Sequence, residues 1–577
     1  MNKALSMLLR TAVLRGAPAG ALSILAACNF APHYERPRTP PTDSYKEAVP
    51  GGDAAAQGWK IADPRDAELR AQWWEMFNDP KLDALEERVA ISNQNIIAAE
   101  ANYRAAYALV LEAQSQLFPT FSLVPSVTRE KTSAALAGIG GGTTVGTTTT
   151  AGTGTGTTTG PTTGTTTGST LPESSVTAPH NIFALPLEAS YQIDLWGSIR
   201  NTIAANRFSA QASAATLANA LLSTQSTLAQ DYFQLRVADE QRRILDTTVA
   251  DYRAVLAMVR TLFDQGLDSD EDVASAETQL DTAIAQATDV GVARAEYEHA
   301  IAVLIGVPPG RFSIPYEHFN QSLPVVPVTV PSDLLERRPD IAAAERQVMQ
   351  TNAQIGVARA AYFPTLSLSA AIGYESTALS KLIEAPNLIW SAGPTLNQTL
   401  FDGGERRAAV LQARAQNEAQ AATYRQAVLS AFQSVEDQLS SLRILSEELV
   451  QQQRATLAAK HTVELSLVRY HNGVDSYVNL ITAENAFLSA RETELQVRLR
   501  QLTASVTLID DLGGGWADSK FGETERMAKH PPDQGKEPLI PSDNAGPPTP
   551  NPPGMPAGEI EPDDFIKMNN EAVGPSS

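Results

Sequence analysis

The chain contains two copies of one sequence pattern, and this internal duplication limits the folds that it can adopt. Residues 117–123 of the first copy match residues 362–368 of the second, and both segments contain Phe-Pro-Thr. Upstream, Ile96 matches Ile341 at the same spacing of 245 positions. The two segments therefore belong to a longer repeat.

A second pair of motifs lies closer together than the first. Gly-x-Asp-Ser occurs at 266–269 and at 473–476, and each is followed by Ala-Glu, at 276–277 and 483–484. These motifs are 207 positions apart, so the first copy contains the longer loop. A duplication that keeps its motifs but varies a loop predicts one architecture built from two equivalent halves.

Two very long helices are predicted from the distribution of proline. Proline is absent between residues 187 and 307 and between residues 395 and 530, although the chain has 36 prolines. Proline inside a helix costs about 3 kcal/mol, so these stretches favour continuous helix. Residues 198–263 alone would extend roughly 100 Å at about 1.5 Å per residue. Helices of this length predict a rod or a tube.

The first long helix shows a seven-residue register that is mostly apolar. Sustained heptads predict helices that pack side by side along a seam, either as a ring of helices or as a plain coiled-coil rod. The register positions are Leu217, Leu221, Thr224, Leu228, Asp231, Leu235, Ala238, Arg242, Leu245, Val249, Tyr252, Leu256, Val259 and Phe263.

Four β-strands are predicted where the hydrophobic period changes to two. They cover roughly residues 118–129, 182–195, 364–375 and 389–401. Four strands cannot close a membrane barrel with a lumen, and an open edge in lipid leaves backbone groups unpaired. If they span a bilayer, several chains must share one barrel, and three chains would give twelve strands. The alternative is a small soluble sheet that caps a helical rod.

The loop between the first two strands consists almost entirely of Gly, Thr and Ala over residues 132–170. It has neither the Gly-x-Gly-x-x-Gly nor the Walker A pattern, so phosphate binding is not predicted. Such low-complexity sequence cannot form a core and predicts a flexible exposed loop.

The N-terminus has the features of a bacterial lipoprotein signal. A basic region and an apolar stretch occupy residues 1–27, and Cys28, the single cysteine, follows Leu25-Ala26-Ala27. This resembles a lipobox, which implies a covalent lipid on Cys28. The alternative is an ordinary buried cysteine. By resemblance to bacterial lipoproteins, Asn29 rather than Asp after the cysteine implies delivery to the outer membrane.

Composition excludes several functions. The net charge of −21 argues against nucleic acid as a partner. The single cysteine excludes a disulfide framework, and the seven histidines form no cluster with metal-ligand spacing. We find no catalytic triad order, metal set or nucleophile elbow, so an enzyme is not predicted and no cofactor is expected beyond the lipid.

The two hairpin turns are candidate functional sites. Gly266 and Gly473 suit helix C-termini, and Ser269 and Ser476 can cap the next helices. The first turn is also strongly acidic. These acids either favour the helix N-terminus or, where several chains meet, form a negatively charged constriction. They are Asp268, Asp270, Glu271 and Asp272.

The motifs together resemble the TolC-like outer membrane factors, and the lipobox points to their lipoprotein branch, the NodT- or OprM-like efflux proteins. The resemblance covers roughly residues 30–516. It rests on the duplication, the two Phe-Pro-Thr motifs and three further motifs: Leu-Phe-Asp-Gly-Gly at 400–404, Arg-Tyr-x-x-Gly at 469–473 and Leu-Gly-Gly-Gly-Trp at 512–516.

The resemblance implies an α+β membrane protein, a homotrimer with a twelve-stranded outer-membrane β-barrel that continues into a long periplasmic α-helical barrel. It also implies docking to a periplasmic adaptor (membrane fusion) protein and an inner-membrane pump of the RND type. In some members aspartates and an arginine hold the tip shut. Those positions correspond here to Asn479, Thr482 and Asp475. A tyrosine that also holds the tip shut in those members corresponds to Tyr470, next to Arg469.

The predicted function is an exit duct for drugs or other small molecules, anchored in outer-membrane lipid. A duct for protein secretion and a structural coiled-coil lipoprotein are the alternatives. The predicted segments are a signal peptide (1–27), a lipidated Pro-rich segment (28–80), the first repeat (81–306), a linker (307–331), the second repeat (332–512) and a Gly-Gly-Trp end with a disordered acidic tail (513–577).

Overall fold

A computed structural model describes residues 30–39, 45–47, 72–131, 179–319, 323–324 and 337–514. The predictions about the signal peptide, Cys28, the loop 132–170 and the tail after residue 514 fall outside the described residues, as do residues 320–322 and 325–331 of the linker.

Seven α-helices occur in the described part of the chain, and their lengths repeat. α2 and α5 have 22 residues each, α3 and α6 have 67, and α4 and α7 have 35. The prediction of two very long helices is confirmed. The helices are α1 (Pro80–Ser92), α2 (Gln94–Ser115), α3 (Ser198–Asp264), α4 (Asp270–Leu304), α5 (Pro339–Ala360), α6 (Glu405–His471) and α7 (Tyr477–Asp511).

The strands form one antiparallel sheet in the order β1-β3-β4-β5, with β2 also paired to β3. The inner pair, β3 and β4, joins the first copy to the second. The strands are β1 (Thr120–Leu123), β2 (Ser126–Glu130), β3 (His180–Ile193), β4 (Thr365–Ser376) and β5 (Leu388–Asn397).

The prediction of one first strand over 118–129 is wrong in detail, because the structure has two short strands there. Pro125 separates them and has no N–H for the ladder. Both pair with β3 in one register, since Leu123 lies opposite Leu187 and Ser126 opposite Ala184. β1 and β2 therefore occupy one strand position, and the described part of the chain supplies four positions.

The last strand ends four residues before its predicted limit of 401. Its final pair is Thr365 with Asn397. The next residue on the β4 side is Pro364, which cannot donate a hydrogen bond, so the ladder stops there.

The predicted heptad register of α3 is largely buried. Phe263 is an exception at 41% exposure, because it lies at the end of the helix beside the turn. The buried members are Leu228, Leu235, Ala238, Leu245, Val249, Tyr252, Leu256 and Val259.

A buried ion-pair cluster, which we call the Asp239 cluster, joins α3 to α4 and to residues 312–319. The Asp239 carboxylate accepts hydrogen bonds from Arg236 (Nη1, 3.0 Å) and Arg294 (Nε, 2.7 Å). It also accepts one from the Glu317 amide at 3.3 Å. The carboxylate and both guanidinium groups are almost completely buried.

Candidate functional site: the tips of the helical hairpins

Both helical hairpins end in turns of the same geometry. Gly266 and Gly473 have φ of 72° and 66°, a left-handed conformation that glycine adopts without strain. In the first turn the amides of Gly266 and Leu267 donate to the carbonyls of Phe263 (2.8 Å) and Leu262 (2.9 Å). The second turn has the equivalent pair of bonds. The predicted role of both glycines at a helix C-terminus is confirmed.

The two serines after the turns behave differently. The Ser269 hydroxyl accepts from the Asp272 amide at 3.1 Å and donates to the Asp272 carboxylate at 2.6 Å. Ser476 precedes α7, but its hydroxyl makes no capping bond, so the prediction for Ser476 is wrong. The residue equivalent to Asp272 is Asn479, which has no carboxylate to hold the serine hydroxyl.

The acidic residues of the first tip divide into two groups. Asp268 and Asp272 are half-buried, whereas Asp270 and Glu271 are exposed. Burial raises the pKa of the Asp272 carboxyl; Ser269 opposes this effect and Asp268 adds to it. The exposed pair is therefore available to solvent, and the half-buried pair belongs to the packed tip.

A hydrogen bond joins the two tips. The Tyr470 hydroxyl at the end of α6 donates to the Asp268 carboxylate in the first turn. Tyr470 is buried, and burial together with this bond raises its pKa. Two residues that are 202 positions apart are thus in contact across the hairpins.

The second tip has its own polar contacts. Arg469 (Nε) lies 3.2 Å from the Asp475 carboxylate, and the Asn479 amide group donates to the same carboxylate. Asn479 and then the Ser476 amide and Arg469 lower the pKa of Asp475. The Thr482 hydroxyl bonds instead to the Val478 carbonyl of its own helix. Of the three positions that the resemblance implies for closing the tip, Asp475 and Asn479 are hydrogen-bonded to each other, whereas the Thr482 hydroxyl bonds to neither of them.

An apolar cluster beneath the turns holds all four helices together. Tyr470 of α6 and Tyr477 of α7 have ring centroids 6.0 Å apart. Val259 of α3 and Ala276 of α4 pack in the same cluster. The tip is therefore one packed unit within the protomer.

Glu484 has no functional role among the predictions made from the sequence. This residue lies on α7, next to the tip cluster, and is only 9% exposed. The signal that could have revealed it is a difference between the copies: Arg260 pairs with Glu277, whereas the residue equivalent to Arg260 in the second copy is Leu467.

At the opposite end of α3, the N-terminal segment reaches the junction of sheet and helices. Phe30 stacks on Phe363 at 4.4 Å, and Phe363 stacks on Trp196 at 4.8 Å. Trp196 lies between β3 and α3, and Phe363 lies just before β4. The chain two residues after Cys28 is therefore fixed at this junction.

No group of three or more His, Cys, Asp or Glu within the described ranges could hold a metal ion. Among the helices that the structure describes, none is long and apolar enough to cross a membrane.

The paired long hairpins and the small antiparallel sheet define the class of the protein, because solved outer-membrane channels have this fold. The outer-membrane channel OprN matches with a TM-score of 0.69 and 27% identity, over 85% of this chain and 100% of that chain. The Campylobacter jejuni CmeC outer membrane channel matches with a TM-score of 0.73 and 22% identity, over 87% of this chain and 98% of that chain.

The chain belongs to the outer membrane efflux protein family, whose sequence profile matches residues 85–307 and 330–514. The pyoverdine export outer membrane protein OpmQ of Pseudomonas aeruginosa is 29% identical over 82% of this chain and 93% of its own length. The probable efflux pump outer membrane protein TtgC of Pseudomonas putida is 27% identical over 88% and 96%. The protein is thus an outer-membrane component of an efflux system, as the resemblance implied.

Proposed function

We propose that three copies of this chain form a duct that carries small molecules across the outer membrane, supplied by an inner-membrane pump through a periplasmic adaptor. The observation that carries the proposal is the pair of open sheet edges. Within the described residues, β1 and β2 form one edge and β5 forms the other. In lipid each unpaired backbone group costs several kcal/mol, so these edges require partners.

The duplication indicates which edges pair. β3 pairs with β4 inside the chain, with Ala189 opposite Ala370 and Glu188 opposite Ala371. β5 is the repeat of β3, and the β1–β2 position is the repeat of β4. By the same relation, β5 of one copy pairs with β1 and β2 of the next copy, and Thr395 lies opposite Ser126.

The helices support the same contact. Gly356 of α5 lies against Asn201 of α3, where an added Cβ would come within 2.6 Å of the side-chain nitrogen. The equivalent positions are Leu111 of α2 and Ala408 of α6. Leu111, the larger side chain, stands where α5 has glycine, and Ala408, the smaller one, stands where α3 has asparagine. Leu111 is 46% exposed within one chain and so is available for a contact. The volumes are complementary for a contact between α2 of one copy and α6 of the next.

The proposed number of copies follows from the lumen. The described residues of each chain supply four strand positions, so two chains would give an eight-stranded barrel. Side chains fill or nearly fill the interior of a barrel of that size. Three chains give twelve strands and an open interior. This is the trimer that the resemblance implies.

Cysteine cross-linking tests the trimer and its register. Oxidation of the Thr395→Cys/Ser126→Cys variant is expected to give covalently linked dimers and trimers on non-reducing gels, because the two positions meet between copies. Thr395→Cys/Ser367→Cys is the matched control, since Ser367 lies opposite Thr395 within one chain. That control is expected to remain monomeric on the same gel.

Two results would contradict the arrangement. One is the absence of linked species from Thr395→Cys/Ser126→Cys. The other is equal linking when Thr128 replaces Ser126 as the cysteine position, since that pairing requires a register shifted by two residues.

A lipid on Cys28 is part of the proposal. It is supported by the position of Phe30, which is fixed where the sheet meets the helices. Acyl chains contribute about 0.8 kcal/mol for each buried CH₂, so several chains would hold this junction at the bilayer surface.

Cys28→Ala is expected to abolish labelling of the protein by a radioactive fatty acid, since it removes the only thiol. The cross-links between β5 and β2 should still form in this variant, because they depend on the sheet. Unchanged labelling would exclude Cys28 as the lipidation site.

The proposed cargo is small molecules, and the proposed pump is of the RND type. Relatives are named for the efflux of toluene, antibiotics and pyoverdine, all small molecules. The exposed tips of the hairpins, with Asp270 and Glu271, are the proposed contact for the adaptor.

A further inference from the structure

Glu484 is a buried carboxyl group at the contact between the two hairpins. It lies on α7, two helical turns after Tyr477, and is 9% exposed. Its Oε2 atom is buried and has no hydrogen-bond partner. The neighbouring Asn485 accepts a hydrogen bond from the Tyr252 hydroxyl of α3 at 3.2 Å. Glu484 is therefore at the interface of α7 with α3.

The repeat shows what this carboxyl group lacks. In the first copy, Glu277 of α4 forms an ion pair with Arg260 of α3 at 2.5 Å. Glu484 is the equivalent of Glu277, but the residue equivalent to Arg260 is Leu467 of α6. The second hairpin therefore has a carboxyl group at the equivalent position, but this group is buried, and leucine stands in place of the arginine.

The groups around Glu484 do not replace that cation. α3 presents Asp251 and the Tyr252 hydroxyl, and Tyr477 lies on α7 itself. On α6, the repeat places Leu467 at the position that Arg260 occupies in the first copy. Burial, and then the charge of Asp251, raise the pKa of Glu484 to about 7. Burial raises the pKa of Asp251, and the charge of Arg491, two turns further along α7, only partly opposes this effect.

We propose that Glu484 is a proton-controlled switch of the contact between the hairpins. The uncharged carboxyl group permits α7 to pack against α3, and the ionised carboxylate weakens this packing because its Oε2 atom is buried without a hydrogen-bond partner. Its effect on transport rests on the proposed duct, since in the trimer a loosened contact at the tips would favour the open duct.

The sign of the pH dependence follows from the two states. When the hairpins separate, Glu484 is solvated and returns towards its ordinary pKa of 4.5, whereas in the packed tip it is about 7. The stabilisation is therefore complete below the ordinary value. It is lost progressively as the pH rises and is absent above about 7. Between pH 6 and pH 8, these two pKa values give a loss of about tenfold in the packing equilibrium.

Hydrogen exchange of the full chain in detergent tests the switch. Protection of the α7 amides around residues 480–488, corrected for the intrinsic pH dependence of exchange, is expected to fall about tenfold from pH 6 to pH 8. Glu484→Gln stays neutral with nearly the same shape, so its protection should be the same at both pH values. Glu277→Gln is the matched control from the first copy and should show the wild-type fall.

A second variant restores the missing cation. Leu467→Arg places a guanidinium group where Arg260 stands in the first copy, so the ionised Glu484 is compensated. The fall in protection between pH 6 and pH 8 should become smaller. A full tenfold fall in Glu484→Gln, or no fall in the wild type, would overturn the proposal.

Conductance in planar bilayers separates this inference from the proposed function. The exchange experiment reports the contact between α7 and α3 whether or not the protein conducts. A pH-dependent contact in a protein that forms no channel would contradict the duct and leave the switch intact. If the protein conducts, but amide protection in Glu484→Gln still falls about tenfold between pH 6 and pH 8, the result would contradict the switch alone.

Discussion

Asp239→Ala is expected to lower the free energy of unfolding by about 3 kcal/mol, the lower end of the range for breaking a buried ion pair, because the buried positive charge that remains is only partly compensated. Asp239 binds two guanidinium groups, those of Arg236 at 3.0 Å and Arg294 at 2.7 Å. Both would remain buried, and each would keep one other carboxylate at 3.2 Å, that of Glu317 for Arg236 and that of Glu298 for Arg294. Thermal unfolding of the detergent-solubilised protein, followed by helical circular dichroism, should show a large fall in the midpoint.

Asp246→Ala is the matched control. Asp246 lies on the same helix, α3, and forms an ion pair with Arg242 at 3.0 Å, but both side chains are well exposed. Exposed pairs at this helical spacing contribute about 0.3–0.5 kcal/mol, so this variant should unfold close to the wild type. Equal midpoints for the two variants would show that the Asp239 cluster does not stabilise the fold.

Replacing Asp268, Asp270 and Asp272 together by asparagine is expected to reduce the cation-to-anion permeability ratio several-fold. If the tips of three copies meet around a common axis, these positions bring nine carboxyl groups close to the conduction path. Such a ring attracts cations and repels anions most strongly where the path is narrow. The measurement is the reversal potential in planar bilayers under a salt gradient.

Asp475→Asn is the control for the selectivity experiment. Asp475 is the only acidic residue of the second turn motif, and Asn479 and Arg469 already bind its carboxylate. Its loss should change selectivity less than the triple substitution. A wild-type ratio in the triple variant would assign the three aspartates to helix capping or to adaptor contact. Because Asp268 also accepts from Tyr470, the single variants Asp270→Asn and Asp268→Asn would separate the exposed charge from the contact between the tips.

Much of the fold was predictable because its signals are local. The absence of proline and the apolar heptads depend only on neighbouring residues, and α3 occupies Ser198–Asp264 as these signals predicted. The glycine turns are local as well, since Gly266 and Gly473 provide a backbone conformation that other residues adopt with strain. The boundary errors arose where Pro125 and Pro364 interrupt hydrogen bonding between strands, which depends on the partner strand.

The candidate site was predictable only in part. The sequence identified the two turns and their acidic residues, because glycine and helix-capping residues have positional meaning within a few residues. It failed for Ser476, where the capping bond is absent. The two serines occupy equivalent positions, but Asp272 holds one hydroxyl and Asn479 binds Asp475 instead.

The sequence by itself determined the duplication, the helix lengths and the approximate positions of strands and turns, since each follows from periodicity or from one residue's conformational preference. Only the tertiary structure decided that Tyr470 binds Asp268, that Asp239 binds Arg294 and that Glu484 is buried at the interface of α7 with α3. These contacts join residues that are far apart along the chain. Their existence depends on how whole helices pack against one another, which no short stretch of sequence specifies.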